Sequence, residues 1–127
     1  MSEHQLGQFD SWEIITEDIA RKTCDKSFFK YHGSGVPQGI RWFFDAENLT
    51  AGQSKTIILV YDGSEYVASI QMDNKTPSIT KIFWNSALAE KFEVYSKDDT
   101  PHVLEFHRVE GGRFKVKFEN HNFISGY

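Results

Sequence analysis

Lys55-Thr56-Ile57-Ile58-Leu59-Val60-Tyr61-Asp62-Gly63-Ser64-Glu65-Tyr66-Val67-Ala68-Ser69-Ile70-Gln71-Met72-Asp73 decides the fold. Lys55 to Tyr61 is a β-branched run, and Asp62-Gly63 is a turn dipeptide whose central positions tolerate positive φ. Glu65 to Asp73 then returns as a second strand. On that strand Tyr66, Ala68, Ile70 and Met72 point one way, and Val67, Ser69 and Gln71 the other. Both faces are partly apolar, which suits a closed or nearly closed barrel.

Downstream the same logic repeats. A polar loop, Asp73 to Ser78, leads into a strand over Ile79 to Trp84. Asn85-Ser86 then caps a short helix that buries Leu88 and Phe92 at i, i+4. Asp98-Asp99 before Pro101 reads as turn chemistry. Val103 to Val109 pairs with Arg113 to Glu119 across Gly111-Gly112. In the second of these strands Phe114, Val116 and Phe118 alternate with Arg113, Lys115 and Lys117, a half-buried strand with a basic outer row.

Upstream the signals are mixed. Asp10-Ser11-Trp12-Glu13 has the form of a capping box, with Trp12, Ile15 and Ile19 at helical spacing; a short strand over Trp12 to Ile15 competes with it. Residues 25–39 mix Lys, Ser, His and three glycines around Phe28, Phe29 and Tyr31 and read as an irregular loop. Ile40 to Leu49 holds a short helix or strand. The expectation is a mainly β fold: a seven-stranded open or pseudo β-barrel, mostly antiparallel, with two or three short helices, forming one domain over residues 1–127.

Composition agrees. The 127 residues are 39% hydrophobic and 25% charged, as in an ordinary folded domain, and the 15% aromatic content favours strands. Cys24 is the single cysteine, which excludes an internal disulfide and a thiolate zinc site. Glu3, Asp10, Glu13, Glu17 and Asp18 interrupt the N-terminal stretch, so no signal peptide is expected, and no apolar run is long enough to span a membrane. Cytoplasmic residence follows by elimination. Without export, the glycosylation patterns at Asn48 and Asn74 carry little meaning.

The net charge of −4 hides an uneven distribution. Between Arg21 and Trp42, five basic residues face Asp25 alone, a balance of +4, while the other 105 residues carry 9 basic against 17 acidic, or −8. A basic segment on an acidic body steers one face toward phosphates while the rest repels them.

The order of these features resembles a known family. Gly33-Ser34-Gly35-Val36-Pro37 precedes a short element; the hairpin Ile57 to Tyr66 follows, then a polar loop, then Ile82-Phe83-Trp84-Asn85 and a helix ending in Phe92. Over residues 12–120 this is similar to the seven-stranded DNA-binding pseudobarrel of plant auxin-response-type transcription factors and of the recognition domains of some bacterial type II restriction endonucleases. The resemblance implies two arms gripping the major groove of double-stranded DNA, one within Ile19 to Ser34 and one within Asp73 to Lys81. It implies a DNA-contact set of Arg21, Lys22, Lys26, Lys30, Tyr31, His32 and Ser34 from the first arm, with Gln38 beyond it. The second arm supplies Asn74, Lys75, Thr76, Ser78 and Lys81. Asn pairs bidentately with adenine, Lys reaches guanine, and Ser or Thr reaches base edges or phosphates. The plant domains carry a longer first arm with different residues, so no base specificity transfers.

No self-contained catalytic or metal site and no cofactor is expected. Asp62 with Asp73-Asn74-Lys75 mimics a nuclease metal site. Yet the two carboxylates are on the order of 30 Å apart along the strand, where one magnesium ion needs them within about 5 Å of each other. Gly33-Ser34-Gly35 is neither a nucleophile elbow nor a phosphate-binding loop. His102 and His107, five apart on one strand, face opposite sides. A nuclease would therefore lie elsewhere, fused or associated, and Ile124-Ser125-Gly126-Tyr127 would mark a domain boundary. Two other functions compete: a β-barrel binding a small ligand or carbohydrate, with Tyr66, Trp84 and Phe residues around a hole, and an open sheet binding single-stranded nucleic acid through exposed aromatics. The bland alternative for the basic loop is solvated surface.

Overall fold

The computed structural model describes residues 4–97 and 100–119; Asp98-Asp99 and the C-terminal Ile124 to Tyr127 lie outside them. Among the described residues nine strands form one curled sheet, an open half-barrel, where the sequence pointed to seven. They are β1 (Gly7–Phe9), β2 (Trp12–Thr16), β3 (Ile19–Cys24), β4 (Gly33–Val36), β5 (Ser54–Tyr61), β6 (Ser64–Met72), β7 (Thr80–Trp84), β8 (His102–Val109) and β9 (Arg113–Glu119). Their order in the sheet is β1-β2-β3-β8-β9-β5-β6-β7-β4. Apart from the parallel β5–β9 ladder, neighbouring strands run antiparallel. Two α-helices, α1 (Lys26–Lys30) and α2 (Ser86–Phe92), and two 3-10 segments, Gln38–Phe44 and Glu93–Ser96, connect them. No helix among the described residues is long and apolar enough to cross a membrane.

The β5–β6 hairpin forms as its sequence predicts. Tyr61 pairs with Ser64 across a two-residue loop, and both Asp62 and Gly63 take positive φ, 50° and 81°. That is the geometry whose twist matches flanking strands. Ala68, Ile70 and Met72 are buried, whereas Val67 is exposed.

Two sequence expectations are corrected. Residues 10–15 are not a helix. Trp12 and Ile14 are buried with Glu13 exposed between them, a period of two that wins because Lys22 and Ala20 of β3 pair opposite them. Nor is 25–39 an irregular loop, since it holds both α1 and β4. The strand was hidden because Gly33-Ser34-Gly35 has no strand propensity of its own; pairing with β7 imposes it.

Gly33 is there for space. A Cβ at this position would lie 2.2 Å from the Ile82 carbonyl oxygen and 2.7 Å from a Phe83 ring carbon. The near neighbour is backbone and cannot step aside. Gly33→Ala is expected to lower stability by about 1–3 kcal/mol, as overpacking does, whereas Gly35→Ala, whose Cβ would meet nothing within 4 Å, should cost much less. Urea titration of the two variants checks the contrast.

Aromatic rings fill the interior. Trp12 packs edge-on against Phe44 (5.7 Å between centroids), Phe44 against Phe114 (5.1 Å), and Phe43 against both Phe44 and Phe114. A second set, Phe28, Trp84 and Phe92, closes the end beneath α1. Trp84, 6% exposed, is packed against Phe28 and Phe92, so rings fill the interior of the barrel at this end. At the open seam, Trp12 Nε1 donates to the Gly35 carbonyl at 2.9 Å. A side chain, in place of a backbone ladder, draws the edge strand β4 toward the β2 side.

Candidate nucleic-acid interface

The first arm contracts when placed in the fold. Arg21 and Lys22 belong to β3 and are committed to it. The Lys22 side chain is buried, with the residue only 5% exposed, and its ammonium donates to the Ser11 hydroxyl and to the Thr23 carbonyl. Burial pulls its pKa down. The Arg21 Nε donates to Glu105 at 2.8 Å, a bond that raises its pKa. What projects from the sheet is Asp25 to His32.

Asp25 organises this arm. Its carboxylate accepts from the Phe28 amide at 2.9 Å and the Ser27 hydroxyl at 2.8 Å, capping α1. The Phe28 amide bond, foremost, holds its pKa below the usual carboxylate range. Phe28 is buried under the helix, so Lys26 and Lys30 point to solvent. Tyr31 is 61% exposed, and the Lys30 ammonium lies 5.2 Å from its ring centroid. His32 turns the chain with a φ of 56°, and its carbonyl accepts from the Trp84 amide. From there β4 begins.

The second arm is stapled shut by Asp73. One carboxylate oxygen accepts from the amides of Lys75 and Ile79, both at 3.0 Å, while the Asp73 amide donates back to the Ile79 carbonyl. Those amides, Ile79 foremost, depress its pKa. The Ser78 hydroxyl donates to the Lys75 carbonyl, and the Ser78 carbonyl accepts from Arg41 Nη2. Asn74, Lys75 and Thr76 are left exposed at the tip, and Ser78 is half-buried. Sequence reading missed Asp25, Asp73 and Arg41 as organisers of the arms. The first two carried a signal, since an Asp heading a polar loop commonly bonds amides ahead of it.

The two arms sit at opposite ends of one strand. Gly33 pairs with Phe83 and follows the first arm, while Val36 pairs with Thr80 beside the second. The length of β4 separates them by about 10 Å at about 3.3 Å per residue, comparable with the roughly 12 Å width of the B-DNA major groove. Between them Gly35 lies opposite Lys81, and Lys81 opposite Gln71, with both long side chains exposed. Ser34 is half-buried and donates to the Gly35 carbonyl; Gln38 is exposed just past the strand. Thus Asn74, Lys75, Thr76 and Lys81 lie toward one end of this β4 strip and the Asp25-to-His32 arm at the other. Lys22 lines the groove beside β4 with Ser34, Gly35, Ile79 and Thr80. Lys26, Lys30 and His32 face a cleft toward Ser86–Ser96, and Arg21 is held by Glu105. Asp62 and Asp73 lie at opposite ends of β6.

No family profile and no curated protein sequence matches the chain. Among solved structures it is similar to the N-terminal domain of Helicobacter pylori LlaJI.R1, with a TM-score of 0.55 and 12% identity, over 86% of this chain and 89% of that one. The Arabidopsis thaliana hypothetical protein At1g16640.1 aligns over 82% of this chain and 91% of its own at 15% identity, with a TM-score of 0.49. At such identities the first likeness is one of fold.

Proposed function

We propose that this chain binds double-stranded DNA sequence-specifically, with its two arms in the major groove, as the recognition part of a bacterial restriction system acting in the cytoplasm. The observation that carries this reading is the placement of two differently built, capped arms at either end of β4, about one groove width apart. The fold shared with the LlaJI.R1 domain and the family resemblance in the sequence support it. Cleavage belongs to a nuclease outside these residues, fused or associated.

The arms divide the work. Lys26 and Lys30, on a helix free of acids toward solvent, follow phosphates; Asn74, on the stapled loop, is held rigidly enough to read a base. Fluorescence anisotropy against duplex DNA is the test. If four to six phosphates are neutralised, log K against log salt should slope about −4 to −5. Lys26→Ala and Lys30→Ala should each flatten it by about one and weaken preferred and random duplexes alike. Asn74→Ala should cost about 1–3 kcal/mol on the preferred site and little on random DNA. An absence of duplex binding at low salt would sink the proposal, and single strands outcompeting duplexes would favour the open-sheet alternative.

A further inference from the structure

A cleft of about 820 Å³ lies beside the first arm, between α1 and the helical segment Ser86–Ser96. It shares Lys26, Lys30 and His32 with the first arm and lies within the size range of small-molecule sites. On one wall α1 presents Lys26, Phe29 and Lys30, spaced i, i+3, i+4 and so on one helix face. The opposite wall offers Ser86, Ala89 and Ser96, small residues that leave the space unfilled, and beyond them Glu90 and Glu93. The floor is aromatic, with Trp84 and Phe92 buried and Phe29 and Tyr95 half-exposed. Tyr95 is already stacked at 4.0 Å on Phe118, which fixes its ring.

Lys26 and Lys30 on one rim, with the neighbouring Asp25 carboxylate occupied in capping α1, Glu90 and Glu93 on the other rim, and flat apolar surface between them define a ligand. It has an anionic end, a planar body that stacks, and hydrogen-bond donors on the far edge of that body. We propose that the cleft binds a single nucleotide whose base carries an exocyclic amine, with the phosphate on Lys26 and Lys30, the base against Phe29 and Tyr95, and the amine toward Glu90 or Glu93. Two sources offer this chemistry: a free mononucleotide, or a nucleotide unstacked from the bound duplex. Enzymes and readers that take a base out of the stack hold it in such an aromatic-lined pocket. The second source rests on the DNA-binding reading; the first does not.

The experiment is an amide-resolved NMR titration of the full chain with deoxyadenosine, deoxycytidine and thymidine monophosphates and with inorganic phosphate. The first two should shift amides in α1, Ala89 and Tyr95 saturably. Thymidine monophosphate, whose base has no exocyclic amine, should bind about tenfold more weakly, the worth of one hydrogen bond to a charged group. The double change Glu90→Gln/Glu93→Gln, at two exposed positions that do not threaten folding, should bring the amine-bearing nucleotides toward that weaker level, and Ala89→Trp should abolish all the shifts. Shifts with inorganic phosphate equal to those with nucleotides, or none with any nucleotide, overturn the proposal. Duplexes carrying 2-aminopurine then separate the sources. A fluorescence change on binding that Ala89→Trp cancels assigns the nucleotide to the DNA, and its absence beside saturable mononucleotide binding assigns a free nucleotide. Mononucleotide binding without duplex binding would remove the DNA reading and leave the cleft standing.

Discussion

Phe28→Ala should lower stability by about 3–5 kcal/mol, the cost of truncating a buried aromatic to alanine. Phe28 is 2% exposed and is the residue by which α1 is buried. Its ring packs at 4.8 Å from Trp84, 5.0 Å from Phe29 and 6.4 Å from Phe92. A five-residue helix has too few hydrogen bonds to persist on its own. Without the Phe28 anchor α1 loses its reason to lie on the sheet, and Lys26 and Lys30 lose their shared position. The variant should therefore melt about 10–20 °C lower. In conditions where it remains folded, it should bind duplex DNA less well than Lys26→Ala does. Calorimetry and anisotropy on the same preparation provide the check. Full DNA affinity in a destabilised variant would mean that the first arm does not depend on this anchor.

Glu105→Gln is the second large effect, and it should depend on pH. Glu105 is 4% exposed on β8, between Arg21 of β3 and Lys117 of β9 in the strand register. One oxygen accepts from Arg21, and the other faces the His107 ring and the Lys117 ammonium, the latter at 3.7 Å. Burial pushes its pKa up, but the hydrogen bonds from His107 and Arg21 outweigh that and hold it at about 2. An unfolded glutamate titrates near 4.3. The folded value is the lower one, so the carboxylate stabilises the fold above pH ~4.3. That contribution fades as the pH falls and is lost through about 2. Urea titrations should show the full deficit of Glu105→Gln at pH 7 and a shrinking one from pH 5 downward. A deficit that stays constant with pH would show that packing, not charge, holds this position.

Charge pattern alone misled where burial decided. Lys22 counted toward the basic segment on equal terms with Lys26, yet it lies on the inward side of β3 and spends its protons on Ser11 and Thr23. Nothing local distinguishes the two lysines; the difference is which face of a strand or helix each occupies. The hairpin at Asp62-Gly63 and the α2 cap at Asn85 were legible because both are local. A turn dipeptide and a capping side chain act over a few residues, and their energetics do not wait for the rest of the chain.

By itself the sequence determined the mainly β class, the paired strands on either side of Asp62-Gly63 and Gly111-Gly112, the helix after Asn85 and the excess of positive charge before Trp42. These follow from periods of two, from turn chemistry and from composition, all readable within a short window. Only the tertiary structure decided that Trp12 sits in a strand, that Gly33 to Val36 is an edge strand, and that the two arms stand at its opposite ends. Those outcomes depend on partners distant in sequence, β3 for Trp12 and β7 for Gly33. A glycine-rich or ambiguous segment takes the conformation that its neighbours' burial and hydrogen bonding impose, whatever its own weak preference.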